Sequence, residues 1–345
     1  MVAKVQIARG IFRIGPVPTG KFRTAEAQTS PFVCVGQERA AILEPGEEGQ
    51  ASPILQVLEE LGIERERVAY ITASHIHMHH MEGINVLLDV LPNAKVVVHQ
   101  RAVAHLIDPT RLNESHNQIW GLVGGPCARL NPVAEDRIIG CSGGEVLDLG
   151  GRELEIVDSR GHAPHHICVF DRLTGALWTG DMAGVLPYAA ERGSPDILPP
   201  LFDVKAHIEG LRRCRALKPT VLFTFTGHGG VSYVPDQTLQ WAEEDVLAIE
   251  RICLDGMKNK LTAKEIGKRV EEVRARGRNT YSPLITPTSS EAETVGTAHG
   301  HIGILTARSE EHMPPFGMLA YLKRQDPSLE WPQGMPAPMG AGRGL

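Results

Sequence analysis

The sequence of 345 residues lacks several features that mark particular classes of protein. It has no run of about eighteen apolar residues, so no transmembrane helix is expected. Its N-terminal segment lacks the apolar core of a signal peptide. It has no excess of basic residues, because its net charge is −6, and proteins that bind nucleic acid usually present a basic face. These absences predict a cytoplasmic protein that binds neither a membrane nor nucleic acid.

Cysteine is sparse, and none of it is arranged in pairs. The six cysteines are scattered along the chain and form no C-x-x-C motif. In a cytoplasmic protein such residues are expected to be buried free thiols. The chain has no internal repeat and is long enough to bury a sizeable core.

What the chain does have is a loop that is rich in histidine. A short apolar run, 68–72, is predicted to be a buried strand, and 81–91 is predicted to be a helix that ends at Pro92. Imidazole is the commonest protein ligand for a transition metal, so histidines at the end of a strand indicate a metal site. The alternative is a solvated polar loop that is rich in histidine without binding a metal. The four histidines between the strand and the helix are His75, His77, His79 and His80.

Three further turns carry a histidine or an aspartate beside glycine. His162 follows a predicted strand at 154–158, and Asp181 follows another at 176–178. His228 follows a third, at 221–225. Glycine lets the backbone bend sharply next to each of these residues. Taken singly, each turn is weak evidence. The histidine loop and these three turns, in this order along the chain, strongly indicate one shared site.

This order of residues resembles the metallo-β-lactamase-fold hydrolase superfamily, whose first motif is H-x-H-x-D-H, followed by a histidine, an aspartate and a last histidine. The resemblance covers roughly residues 10 to 230. Within the superfamily, the stretches 91–99 and 105–109 resemble a poorly characterised glyoxalase-II-like branch. The resemblance implies a four-layer αββα sandwich of α/β class. The metal site is then expected at one edge of the two sheets, with helices outside.

The resemblance also implies a ligand set. It assigns His75, His77 and His162 to a first metal. It assigns His80 and His228 to a second metal, with Asp181 bridging the two. The implied cofactor is zinc, as one or two ions, with iron, manganese or nickel as alternatives.

His79 departs from the family motif, because it stands where the family has an aspartate. The exchange removes one negative charge, so a second ion is expected to bind more weakly. His79 is predicted to be a further ligand of that ion. Should it point into the substrate pocket instead, it becomes a candidate proton donor to the leaving group.

The family resemblance predicts a metal-dependent hydrolase acting on a small molecule. A metal-bound hydroxide would attack an ester, a thioester, a lactone or a related electrophilic carbon, and Asp181 would orient the nucleophile. No G-x-S-x-G elbow occurs near the motifs, so a covalent acyl-enzyme is not expected. One alternative is a di-iron redox or oxygen-binding protein of the same fold, against which His77 argues. The other is a binding module that has lost its metals, which His79 would favour.

The chain is predicted to have three parts. Residues 1–235 form the catalytic domain, with an insertion at 105–146 over the mouth of the site. Residues 236–326 form a helical extension, in which Thr262 and Glu265 match a capping box. Residues 327–345 are predicted to be a loose tail or an arm on a neighbouring subunit, which leaves a homo-oligomer open. Of the other histidines, we expect His99, His105 and His207 to be structural, and either His165 or His166 to support the site.

Overall fold

The computed structural model of the chain describes residues 4–15, 30–122, 128–186, 192–197, 201–224, 230–276 and 315–335. Within these residues the strands form two sheets. The first sheet has its strands in chain order, antiparallel up to the fourth strand and parallel from there to the seventh. Its strands are β1 (Lys4–Ala8), β2 (Ile11–Ile14), β3 (Phe32–Val35), β4 (Ala40–Leu43), β5 (Val68–Thr72), β6 (Lys95–His99) and β7 (Ile138–Cys141).

The second sheet is antiparallel apart from one parallel pair. It consists of β8 (Val146–Asp148), β9 (Glu153–Asp158), β10 (Ile167–Asp171), β11 (Ala176–Gly180), β12 (Val221–Thr224) and β13 (Val231–Ser232). The strands lie in the order β13-β12-β11-β10-β9-β8, and β11 and β12 form the parallel pair. A parallel pair needs a crossover, and here a helix supplies it.

The described helices are distributed along the chain between and after the strands. They are α1 (Ala51–Glu60), α2 (Met78–Met81), α3 (Ile84–Val90), α4 (Val103–Ile107), α5 (Thr110–Leu122), α6 (Val204–Ala216), α7 (Pro235–Lys258), α8 (Ala263–Arg274) and α9 (Phe316–Gln325). The crossover between β11 and β12 contains α6. None of these helices, within the described part of the chain, is both long and apolar enough to cross a bilayer.

Three apolar clusters separate four layers. One packs α1 and α3 against the first sheet, and another packs α6 to α9 against the second sheet. The third fills the space between the sheets, where the ring of Phe32 lies 5.7 Å from Trp178 and 5.2 Å from Phe223, centroid to centroid. Burying rings of this size is among the larger apolar contributions to stability. The layering confirms the predicted four-layer αββα sandwich.

The elements around the histidine loop agree with the sequence in part. The predicted strand at 68–72 is β5. The predicted helix at 81–91 is instead two helices, because α2 begins within the histidine loop and the chain bends at Gly83 before α3. The backbone N–H of Gly83 donates to the carbonyl of Gly46 at 2.8 Å instead of to a carbonyl of the preceding turn, which interrupts the helical hydrogen-bond pattern.

The described parts of the C-terminal segment, residues 236–276 and 315–326, are largely helical. The capping box at the start of α8 is confirmed: the backbone N–H of Thr262 donates to Glu265 Oε2 at 2.8 Å, and the N–H of Glu265 donates to Thr262 Oγ1 at 3.3 Å. Residues 327–335, which the sequence analysis placed in a loose tail, lie against these helices. The ring of Trp331 lies 5.5 Å from that of Phe316. Residues 336–345 lie outside the described part, and the three-part division of the chain stays a prediction.

The segment 105–146 and the cysteines can also be compared with what the sequence predicted. The strand β7 falls inside 105–146, the predicted insertion, but belongs to the first sheet; it has only four residues, and one of them is Gly140. The described cysteines are buried free thiols, as expected, and Cys127 lies outside the described residues. These thiols belong to Cys34, Cys141, Cys168, Cys214 and Cys253.

Candidate metal centre

The histidine loop lies where the two sheets meet. It follows the carboxyl end of β5, and His162 and Asp181 follow the carboxyl ends of β9 and β11. A backbone hydrogen bond from the N–H of Ile167 to the carbonyl of Ser74, 2.8 Å long, joins the loop to the second sheet. The topology therefore brings residues from both sheets to one edge of the sandwich.

Four of the predicted residues form a first group. Each of His75, His77, His162 and Asp181 offers a donor atom, and these atoms all lie within 4.8 Å of one another. The closest pair is His75 Nε2 and His77 Nδ1, at 2.6 Å. At that separation at least one of the two nitrogens carries no proton and presents a lone pair. Asp181 Oδ2 lies 3.3 Å from His162 Nε2.

A second group shares the aspartate with the first. It contains His79, His80 and Asp181, again with donor atoms within 4.8 Å of one another. His80 Nε2 lies 3.3 Å from Asp181 Oδ2, and the ring of His79 lies 4.4 Å from that of His80. His79 thus faces the same cluster as its neighbours. His228 lies outside the described residues, so its place in this group stays a prediction.

The electrostatic environment differs between the groups. Burial and neighbouring histidines lower the pKa of His75 and of His77, which favours the neutral, ligating form of both rings. Burial also lowers the pKa of His80, but the carboxylates of Asp181 and Glu44 outweigh it and raise that pKa to about 9. For Asp181, burial raises the pKa, yet the histidines around it, His80 first, hold it well below its usual range.

The donors present fit a transition-metal ion. His162 Nε2 is buried without a hydrogen bond, although Asp181 Oδ2 is near. The other ring nitrogen, Nδ1, lies 3.1 Å from the backbone carbonyl of Asp196. A carbonyl can only accept, so Nδ1 carries the proton and the Nε2 of a neutral ring carries the lone pair. Neutral imidazoles with one carboxylate are a ligand set suited to zinc and to iron or nickel.

Two glycines let the second sheet approach the loop. Gly161, with φ +145°, precedes His162, and a Cβ there would lie 2.3 Å from the Cα of His207. Gly180, with φ +50°, precedes Asp181, and its Cβ would lie 2.2 Å from Ser74 Oγ. Any side chain at either position would push apart the segments that carry the cluster.

Glu44 is a member of the site that the sequence analysis missed. Its side chain is buried, its Oε2 lies 2.7 Å from His80 Nδ1, and its Oε1 accepts the backbone N–H of Ser74 at 2.8 Å. Its backbone has φ +54°, an uncommon conformation for a residue other than glycine. Glu44 follows β4, the parallel neighbour of β5, so the rule that led to the histidine loop could also have found it.

The histidines next to His162 lie beside the cluster. The ring of His166 is 5.2 Å from that of His75, and its Nδ1 lies 2.9 Å from Ser159 Oγ. The ring of His165 is 6.4 Å from that of His75. These contacts suit a supporting role, with His166 the better held of the two.

The histidines expected to be structural have contacts of their own. Nδ1 of His99 accepts the backbone N–H of Arg101 at 3.0 Å. The ring of His207 is buried and lies 5.0 Å from that of Phe202. His105 lies on α4 and is partly exposed. Their structural role stays a prediction.

One sequence stretch needs a correction. Residues 140–144 read Gly-Cys-Ser-Gly-Gly and so spell G-x-S-x-G, although no elbow was expected near the motifs. The structure places Ser142 in a turn between β7 and β8. A nucleophile elbow needs a turn from a strand into a helix, so this stretch does not form one.

Comparison with known proteins agrees with this geometry. The chain matches the metallo-beta-lactamase superfamily over residues 24–228. A metallo-beta-lactamase fold-containing protein from Sulfurisphaera tokodaii is 32% identical over 179 residues, an alignment that spans 48% of this chain and 62% of the relative's length. The chain therefore covers less than two thirds of this curated relative.

Solved structures show the same fold. An archaeal metallo-beta-lactamase superfamily protein from Sulfolobus tokodaii has a TM-score of 0.56 at 23% identity, covering 87% of this chain and 99% of its own. A metallo-beta-lactamase family protein from Thermus thermophilus has a TM-score of 0.58 at 18% identity, covering 90% and 98%. The inverting sec-alkylsulfatase Pisa1 from Pseudomonas sp. has a TM-score of 0.57 at 13% identity, covering 94% and 50%.

The chain belongs to the metallo-beta-lactamase superfamily, whose members are typically metal-dependent hydrolases. The superfamily recognised from the histidine motif is thus confirmed. The glyoxalase-II-like branch within it stays a prediction.

Proposed function

We infer that the protein is a metal-dependent hydrolase that cleaves an ester, a thioester, a lactone or a related electrophilic carbon. The observation that carries this proposal is the convergence of His75, His77, His162 and Asp181 at the edge between the sheets, with donor atoms within 4.8 Å of one another. The two sheets bring these residues together from three separate strand ends. Burying several polar groups next to one another is unfavourable unless their lone pairs and charges are compensated, and a bound cation would compensate them.

The proposed ligand roles follow the two groups. His75, His77 and His162 would hold a first ion, with zinc as the proposed metal. His80 and Asp181 would hold a second, together with His228. When bound, zinc acidifies water toward neutral pH and polarises a carbonyl oxygen. His79 is proposed as a further ligand of the second ion, because its ring faces that group.

Side chains of the protein would orient the attacking water and hold the ligands in place. Asp181 keeps a side-chain exposure of 8%, and its lowered pKa keeps it ionised at neutral pH. It can therefore accept a hydrogen bond from water and orient it toward a substrate carbon. Glu44 would hold His80 at its Nδ1 and so leave Nε2 facing the centre.

The substrate is proposed from chemistry rather than from a defined pocket. The stretch 182–188 after Asp181 is mostly apolar, but Met182 and Ala183 are buried in the cluster between the second sheet and its helices and do not line a pocket. Pro187 and Tyr188, the other end of that stretch, lie outside the described residues. The superfamily and the metal ligands are therefore the support for the substrate class.

Metal analysis of the untagged protein, followed by a substrate panel, tests the proposal. The panel contains a lactone, a thioester, a β-lactam and a haloaromatic, with a sec-alkyl sulfate added because of the likeness to Pisa1. We expect hydrolysis of an ester-like substrate, its loss with a chelator, and its return with zinc. A metal-loaded protein that cleaves none of these would contradict the proposal, and so would a protein that binds no metal. A visible absorption band from bound iron would instead support the redox alternative.

A further inference from the structure

We propose that the C-terminal helices position a metal ligand, and that Arg192 and Asp245 are the residues through which they do so. The segment 192–197, here called the strap, connects these helices to His162. The inference rests on the proposed function, since it assigns the strap a role at the same centre. Arg192 and Asp245 are positioning residues in this proposal, because they act through the strap.

The strap contacts His162 directly. The carbonyl oxygen of Asp196 accepts a hydrogen bond from His162 Nδ1, at 3.1 Å. This bond fixes which ring nitrogen carries the proton and sets the orientation of the ring. Ligating histidines usually make such a bond from the nitrogen that does not bind the metal, and it influences metal affinity strongly. The position of the Asp196 carbonyl therefore decides where Nε2 points.

The strap also pairs with the segment that follows Asp181. Val185 and Ser194 exchange two backbone hydrogen bonds, each 2.8 Å long. A Cβ at Gly193 would lie 2.7 Å from the carbonyl oxygen of Ala183, so the two backbones are in close contact. The strap thus touches the segments that carry two members of the first group.

The C-terminal helices hold the strap at both ends. Arg192 donates two hydrogen bonds to Asp245 on α7, at 2.8 and 2.5 Å. At the other end, the backbone N–H of Gly317 on α9 donates to the carbonyl of Ile197 at 3.0 Å. The Asp196 carbonyl lies next to the second anchor and four residues from the first.

The two hydrogen bonds between Arg192 and Asp245 fix the position of one side chain relative to the other. Two parallel hydrogen bonds between a guanidinium and a carboxylate define both distance and orientation. The side chain of Asp245 is 1% exposed and that of Arg192 is 12% exposed. Arg276 also approaches Asp245, at 3.4 Å, so the carboxylate keeps a cation when Arg192 is replaced. A pair on the protein surface would move with its side chains, whereas this one ties the strap to α7.

Zinc affinity and the tautomer of His162 test the proposal in Arg192→Gln, Arg192→Lys and Asp245→Asn. Competition with a chelator measures affinity, and proton–nitrogen spectra of the histidine rings report the tautomer in metal-free and zinc-loaded protein. We expect Arg192→Gln and Asp245→Asn to weaken zinc binding roughly 10- to 100-fold and to reduce the Nδ1–H form of His162. Arg192→Lys should restore part of the affinity, since it keeps the charge without the bidentate contact.

Arg215→Gln is the matched control. Arg215 makes a similar bidentate contact with Asp236, which lies on α7 as Asp245 does. That pair, however, is exposed and is not in the strap. The control should bind zinc like the parent. Unfolding by urea, measured for every variant, separates a loss of fold from a loss of positioning. If Asp245→Asn does not fold, Arg192→Gln decides, because Arg276 still neutralises Asp245 in that variant.

A failure of the proposed function and a failure of the positioning role would give different results. If the parent protein binds no zinc, the proposed function is wrong, and the tautomer of His162 in the metal-free variants still decides the role of the strap. If Arg192→Gln folds, binds zinc as tightly as the parent and keeps the Nδ1–H tautomer, the positioning role is wrong while the proposed function stands.

Discussion

The two sheets contribute to the candidate metal centre in different ways. The first sheet supplies four histidines from one loop, within six residues of sequence, and Glu44 holds that loop from the neighbouring strand. The second sheet supplies single residues from separate strand ends, His162 and Asp181, which are nineteen positions apart in the chain. One half of the centre is therefore local in sequence, whereas the other half depends on tertiary structure.

The two halves respond differently to substitution. In the loop, a substitution at one histidine removes a donor but leaves its neighbours in place. In the second sheet, the donors depend on glycine turns and on the strap, so a change that touches no ligand can move them.

The largest effect is expected from His77→Ala, which removes a donor of the first group. The proposed hydrolysis should fall by roughly 1,000-fold or more, because the ion proposed to activate water would be lost. Zinc content, activity and urea unfolding of the metal-free protein are the measurements. The unfolding should stay cooperative, since the rest of the loop is intact. His116→Ala, at a histidine outside both groups, is the control. Normal zinc content together with normal activity in His77→Ala would refute the first group.

A smaller effect is expected from Glu44→Gln, which acts on the second group through His80. Glutamine cannot supply the charge that accompanies the 2.7 Å contact, so zinc binding there should weaken roughly 10- to 100-fold. Glu82→Gln is the matched control, because Glu82 is also buried and accepts backbone N–H groups from Glu48 and Arg129. Stepwise zinc titration compares the two variants. An equal loss in both would mean that the effect is one of stability rather than of His80.

His79→Asp should act in the opposite direction. It restores a negative charge beside the second group, so the second ion should bind more tightly, by about tenfold. Titration under limiting zinc measures the change, with His116→Asp as a control for added charge alone. If the parent already holds two equally tight ions, the missing charge at position 79 does not govern affinity. If His79→Ala keeps its metals but loses the basic limb of the pH–rate profile, His79 is the proton donor instead.

The smallest effect concerns acid stability on the second-sheet side. Burial lowers the pKa of His207 to about 3. Because the folded pKa is the lower one, the unfolded ring protonates first, and stability is lost as the pH falls below about 6.5. Relative to His207→Gln, the metal-free parent should lose about 0.8 kcal/mol of unfolding free energy between pH 8 and pH 6. Urea unfolding at both pH values checks this, and parallel losses in parent and variant would contradict it.

The sequence predicted the fold and singled out the residues of both donor groups, because the most informative signals are contiguous. The histidine loop, its preceding strand and the turns at His162 and Asp181 each occupy a few adjacent residues, so periodicity and spacing suffice to find them. The order of the motifs then led to the superfamily. The ligand assignment, with His228 in it, stays a prediction.

What the sequence missed depends on contacts between distant segments. Glu44 is an ordinary acidic residue in the sequence, and only the pairing of β4 with β5 brings it to His80. The role of Asp196 is carried by a backbone carbonyl, which has no sequence signature. The break at Gly83 coincides with a backbone hydrogen bond from Gly83 to Gly46, which helical periodicity does not report.

The backbone at Glu44 has a consequence for protein engineering. With φ +54°, the position has a geometry that glycine adopts freely and that disfavours other residues by about 1 kcal/mol. A design procedure that scores backbone conformation alone would therefore select glycine or asparagine at this position. The resulting protein would have a relaxed main chain and an imidazole at position 80 without its carboxylate partner. At this position backbone preference and the contact with His80 favour different amino acids.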